Sequence, residues 1–172
     1  MANGEAGNER IVSEGEGYAA FKEALFYVCK TLAVKMAKDG EGASKLFTAR
    51  VVNASDKEEA RILARSVISS SLSKAAIFGC DANFGRFLCA MGYSGVDFDQ
   101  NSVELFFESA AGKLQVFKMG VPLDFDEDAA LKILKEDEVT VLIDMHEGKE
   151  EATAWGCDLT YDYVKINADY RS

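Results

Sequence analysis

"SVELFFESAAGKLQVFKMG", Ser102–Gly120, is the stretch on which the fold turns. Two runs rich in Val, Leu and Phe flank a short Ala-Ala-Gly link, the pattern of two strands joined by a tight hairpin. A hairpin makes its strands antiparallel neighbours. That weighs against a doubly wound parallel sheet, in which every strand returns through a helix.

Downstream, "DEDAALKILKED" (126–137) reads as a short helix with Asp126 or Asp128 near its start, where a carboxylate meets free backbone N–H groups. "EVTVLIDMHEG" (138–148) and "EEATAWGCDL" (150–159) read as two further strands. "LTYDYVKINADY" (159–170) reads as a terminal helix, with Leu159, Tyr163, Ile166 and Tyr170 on one face.

Upstream, residues 1–17 carry four glycines and read as a loop. Tyr18, Phe21, Leu25, Val28, Leu32 and Met36 recur at helical spacing, and "KDGEG" ends that helix, with Gly40 as the expected left-handed cap. Leu46–Asn53 is β-branched towards its end and reads as a strand. Ser55 with Glu58 suggests a capping box, and Ile62, Leu63 and Val67 a buried helical stripe. "KAAIFG" is an apolar run entering a turn, and a short helix starts near Phe84. The expected fold is α+β: an α/β sandwich with a mostly antiparallel or mixed sheet.

The 172 residues fit one domain, or one domain and a piece of another; 48% are hydrophobic and 28% charged. A net charge of −10 with no Lys/Arg cluster argues against nucleic acid as a partner. No 18-residue apolar run marks a membrane span. The polar, acidic first residues resemble neither a secretory signal nor a transit peptide, so a cytoplasmic location is expected. Cys29, Cys80, Cys89 and Cys157 lack zinc spacing and read as reduced core cysteines.

Standard catalytic motifs are missing. His146 is the only histidine and reads as a solvated turn residue, so a triad or a histidine-rich metal centre is disfavoured. Phosphate-binding and dinucleotide motifs do not occur, and no metal or cofactor is expected. Three stretches are nonetheless unusual. In "KDGEGASK" Glu41 stands between two glycines; it is either a solvated cap residue or a carboxylate aimed into a cleft to hold an amino group. In "IFGCDANFGR", Asp81 or Asn83 caps a helix, or the loop faces a ligand or subunit, with Arg86 holding a carboxylate or Asp81. The end, "WGCDLTYDYVKINADYRS", is either a docked helix covering core or a segment that carries Asn167, Ser172 and the terminal carboxylate into a pocket.

"AKDGEGASK" (37–45), "KAAIFGCDANFGRFLCAMGYSG" (74–95) and "GCDLTYDYVKINADYRS" (156–172), in this order, resemble the ornithine acetyltransferase family, also called bifunctional glutamate N-acetyltransferase or ArgJ. The resemblance extends over the whole chain. It departs at Ala82 and Phe84, where the family usually has Pro and Trp.

The resemblance implies a DmpA/ArgJ-like fold and, for the complete enzyme, transfer of acetyl from N-acetylornithine, in some members also from acetyl-CoA, to glutamate in arginine biosynthesis. It implies a precursor that cuts itself into two chains and frees a threonine nucleophile, which forms an acetyl-threonine intermediate without any histidine. That threonine is expected upstream of Met1, so this chain corresponds to the C-terminal part of the β chain and, alone, is expected to be inactive. Glu41, Asn167 and Ser172 match the family's substrate-binding positions, and the chain is expected to end at Ser172 because its end is part of the pocket. The implied partners are the α chain of the same precursor, in a hetero-oligomer, together with N-acetylornithine and glutamate. Residues 1–45 are expected to belong to the larger catalytic domain, 46–157 to form a compact α+β domain, and 158–172 to return to the active site. A threonine-nucleophile amidohydrolase or aminopeptidase of the same architecture, or a non-catalytic α+β binding or assembly domain, are the alternatives.

Overall fold

The computed structural model describes residues 3–169. Six strands form one open sheet: β1 (Leu46–Ala54), β2 (Glu104–Ser109), β3 (Gly112–Lys118), β4 (Val121–Pro122), β5 (Glu138–Asp144) and β6 (Glu150–Cys157). Their order is β4-β3-β2-β5-β1-β6. Only β1 and β5 run parallel; every other neighbouring pair is antiparallel. The sheet is therefore mixed and mostly antiparallel, as the hairpin implies. β2 and β3 are that hairpin, paired from Ser109 against Gly112 with a register shift between Leu105 and Phe106.

Period-two alternation decides which sheet face is covered. Phe47, Ala49 and Val51 of β1, Val139, Val141 and Ile143 of β5, and Leu105 and Phe107 of β2 are all buried. Helices α2 (Lys57–Ser69), α3 (Ser71–Phe78), α4 (Phe84–Gly92) and α5 (Glu127–Leu134) supply the other half of this core. At its centre Phe87 packs edge-on against Phe47 at 6.2 Å and Phe107 at 5.4 Å, the arrangement ring quadrupoles favour.

Helix α1 (Glu16–Lys38) lies by the opposite face, near β6 and β1, where the Lys30 ammonium sits 5.7 Å from the Trp155 ring centroid. None of its residues is buried. The expected stripe is present, but Leu25, Leu32 and Met36 are exposed, and so are Phe26 and Tyr27 on other sides of the helix. The helix is thus apolar around its girth, and the described residues leave most of that surface exposed.

Several local expectations are corrected. Gly40 is not the left-handed cap: the helix closes on Asp39, and the positive φ, +67°, falls at Gly42. Asp56, not Ser55, caps α2, accepting from the amides of Glu58 and Glu59; Ser55 instead bonds the Glu59 carboxylate. Leu63 and Val67 are buried with Ala60 and Ala64, but Ile62 turns outward. The "KAAIFG" run belongs to a separate helix, α3, whose start Ser70 caps with its hydroxyl. The cysteines are free, but only Cys80 packs against the core, half-buried; Cys157 is half-buried, and Cys29 and Cys89 are exposed. Cys29 lies on an exposed side of α1, and Cys89 points away from the core face of α4. The terminal helix α6 (Tyr161–Asp169) buries no residue, and Tyr163 and Ile166 are exposed, so it does not cover the core. Tyr170 lies outside the described residues.

Candidate functional site

Two segments far apart in sequence close on each other: the turn 39–45, between α1 and β1, and the segment 156–169, from the end of β6 through α6. The β1–β6 pairing brings them together, since Leu46 lies opposite Cys157. The glycines of the turn then allow close approach. A Cβ on Gly40 would stand 2.6 Å from Cys157 Sγ, and one on Gly42 would stand 2.7 Å from the Tyr163 amide nitrogen. The gap at Gly42 is closed by backbone, the one at Gly40 by the Cys157 side chain.

Between these glycines Glu41 projects from the surface. Asn167 Nδ2 donates to Glu41 Oε2 at 2.7 Å and to its own helix at the Tyr163 carbonyl, 2.9 Å. Both amide hydrogens are thereby used, which fixes the amide orientation and leaves Asn167 Oδ1 as an outward acceptor. Among the described residues Glu41 Oε1 has no protein partner. The pair presents two anchored oxygens to solvent, suited to the N–H groups of an amino acid or its amide. Two of the three expected substrate-binding residues are thus brought together. The third, Ser172, lies outside the described residues.

Buried polar groups hold this arrangement. Asp158, 3% exposed, accepts from the Ser44 amide at 2.9 Å and the Lys45 amide at 3.2 Å, and from the Ser44 hydroxyl. Thr160, 6% exposed, donates to the Gly42 carbonyl at 2.6 Å and accepts from the Tyr163 amide at 3.1 Å. Sequence reasoning passed over both. The signal available was an Asp and a Thr, residues that favour caps and turns, placed between a strand end and a helix start.

Lys45 ties the second unusual stretch to the first. Its Nζ donates to the carbonyls of Ile77 at 3.1 Å and Leu134 at 2.5 Å, closing the ends of α3 and α5, and lies 3.0 Å from Cys80 Sγ. Cys80 itself has a positive φ of 52°. Arg86 holds Asp81 at 3.2 Å, the internal pairing among the options for that loop. Asn83 stands at the N-cap of α4 but makes no side-chain cap bond, and Asp81 is engaged with Arg86, so neither fills the capping role expected. Phe84 stacks on Phe117 at 5.4 Å.

His146 lies at the other end of the sheet. It follows β5, with Nδ1 3.7 Å from Asp144 and Nε2 3.7 Å from Glu104, whereas Glu41 precedes β1 at its start. The nine-residue strand between these ends spans roughly 30 Å, so the histidine shares no chemistry with Glu41. Beside the turn, Glu138 bonds the Lys38 ammonium at 2.6 Å and raises its pKa above the ordinary 10.5. Among the described residues, no group of three or more His, Cys, Asp or Glu is placed to hold a metal ion, and no helix is long and apolar enough to cross a membrane.

The sequence matches the ArgJ family over residues 1–172. It is 51% identical over its full length to the arginine biosynthesis bifunctional protein ArgJ 1 of Clostridium acetobutylicum, covering 42% of that protein. It is likewise 51% identical to the arginine biosynthesis bifunctional protein ArgJ of Thermotoga neapolitana, covering 43% of it. The chain thus spans about two fifths of the length of the curated relatives it matches. The crystal structure of the ArgJ protein from Bacillus halodurans superposes with a TM-score of 0.87 at 40% identity, over 96% of this chain and 76% of that one.

Proposed function

The chain belongs to the ArgJ family, and we propose that it is the substrate-holding C-terminal part of an acetyltransferase of arginine biosynthesis. The complete enzyme moves acetyl from N-acetylornithine to glutamate through an acetyl-threonine intermediate. The observation that carries this reading is the 2.7 Å bond between Asn167 and Glu41. Two residues matched to substrate-binding positions on resemblance alone form one exposed carboxylate–amide pair.

In this reading Glu41 meets the substrate ammonium and Asn167 Oδ1 accepts from a substrate N–H. Ser172 is matched on the same resemblance to a third substrate-binding position. The pair binds and orients; it does not attack. The attacking threonine and the groups that stabilise the oxyanion reside in the part of the protein that this chain does not contain, including an α chain cut from the same precursor. Residues 1–45 join that larger catalytic domain, residues 46–157 form the compact α+β unit, and residues 158–172 return to the site. That no residue of α1 is buried supports this division.

Feeding N-acetylornithine and glutamate to the purified chain and to the complete enzyme tests the reading. The expected result is N-acetylglutamate from the complete enzyme and none from Met1–Ser172 alone. Acetyl transfer by the isolated chain, or free acetate with no N-acetylglutamate from the complete enzyme, would overturn it.

A further inference from the structure

We propose that Thr160 and Asp158 are positioning residues that set Glu41 and Asn167 relative to each other, an inference that rests on those two residues contacting substrate. Thr160 anchors both halves of the pair with a single side chain. Its hydroxyl donates to the carbonyl of Gly42, the residue next to Glu41, at 2.6 Å. The same oxygen accepts the Tyr163 amide at 3.1 Å, capping the helix that carries Asn167. Tyr163 in turn offers its carbonyl to the Asn167 amide. A displacement of the Thr160 oxygen therefore moves both members of the pair.

Asp158 fixes the far side of the turn. Its carboxylate gathers two successive backbone N–H groups, of Ser44 and Lys45, and the Ser44 hydroxyl. Glu41 thus sits in a turn pinned at Gly42 and again at Ser44–Lys45. The left-handed φ of Gly42, +67°, bends the chain between them. Asp158 and Thr160 are 3% and 6% exposed, so both act from beneath the surface, without touching substrate.

Thr160→Val keeps shape and removes the hydroxyl, whereas Thr160→Ser keeps the hydroxyl. Asp158→Asn can still accept the two backbone N–H groups and donate to the Ser44 oxygen; Asp158→Ala can do neither. In the complete enzyme, Thr160→Val is expected to raise the KM for N-acetylornithine about tenfold with a smaller change in kcat, the effect of losing about one hydrogen bond of ground-state binding. Thr160→Ser and Asp158→Asn are expected to stay within about threefold of wild type. Amide hydrogen exchange over Glu41–Lys45 is expected to quicken about tenfold in Thr160→Val and to be restored in Thr160→Ser.

Unchanged exchange in Thr160→Val overturns the proposal whatever the kinetics. So does faster exchange with an unchanged KM in an enzyme where Glu41→Ala raises KM. Should Thr160→Val fail to fold, the contrast of Asp158→Asn with wild type decides: a KM loss as large as that of Glu41→Ala means that the charge acts directly, and sinks the positioning role. A silent Glu41→Ala overturns the substrate contact itself and is seen separately from the exchange result.

Discussion

A Cβ on Gly42 would stand 2.7 Å from the amide nitrogen of Tyr163 and 2.9 Å from the Asp162 carbonyl carbon. Both obstacles are backbone, so no rotamer change relieves them. Gly42→Ala also places a side chain at φ +67°. Together these are expected to cost about 1–3 kcal/mol of stability and to push Asn167 away from Glu41. Denaturant unfolding measures the first effect, and the KM of the complete enzyme measures the second.

Gly40 is the contrasting case. The nearest atoms to a Cβ there are Cys157 Sγ at 2.6 Å and Cys157 Cβ at 3.3 Å, both side chain, and φ is not positive. Gly40→Ala is therefore expected to be relieved in part by Cys157→Ala, and Gly42→Ala not at all. A double-mutant cycle should show a favourable coupling of about 0.5–3 kcal/mol for the first pair. Equal, additive losses would mean that the Cys157 contact is not what excludes a side chain at position 40.

Glu41 and Asn167 should behave as one unit towards substrate. Glu41→Ala and Asn167→Ala are each expected to raise KM about tenfold or more in the complete enzyme, and the double variant to lose less than the product of the two. Full multiplicativity would indicate that the amide and carboxylate meet substrate independently, or not at all.

Five of the six strands were legible because their signals are local, whereas the two-residue β4, Val121–Pro122, is too short to show an alternation. β-branched runs, the two-residue turn at Ala110–Ala111 and the acidic start of α5 each act within a few residues. Helix α3 was not legible, because "SLSKAAIF" (71–78) carries too few turns to show a period, and its cap at Ser70 directly follows the last residue of α2. The Glu41–Asn167 pair could be named from motifs, but its contact spans 126 positions and depends on strand pairing that no local pattern encodes. Asp158, Thr160 and Lys45 stayed hidden for the same reason: each is an ordinary polar residue until the β1–β6 pairing brings its partners within reach.

Lys38 and Glu138 give a pH dependence with a definite sign. The hydrogen bond and charge of Glu138 raise the lysine pKa in the folded chain above 10.5. The contribution of this pair to stability is then complete below the unfolded-state lysine value and lost as pH rises through the raised one. No change from this pair is expected between pH 6 and pH 9, which spans about the neutral range, and Glu138→Gln should return the Lys38 titration towards the ordinary lysine value. NMR titration of the Lys38 Nζ resonance checks both statements; an unmoved midpoint in Glu138→Gln would remove the pairing as the cause.

Core and α1 should respond oppositely to substitution. Phe107 is fully buried and packs edge-on against Phe87, so Phe107→Ala is expected to cost about 3–5 kcal/mol. Leu32 is 53% exposed on α1 and Met36 76%. Leu32→Lys and Met36→Lys remove no buried contact within this chain and are expected to shift its unfolding free energy by less than about 0.5 kcal/mol. If α1 docks against the remainder of the enzyme, the same two changes place ammonium groups in an apolar interface and should abolish co-purification with it. A chain that loses several kcal/mol on Leu32→Lys would show that α1 is already covered within these residues. A double variant that still assembles would show that this apolar helix faces solvent in the complete protein, and would leave its composition without a packing reason.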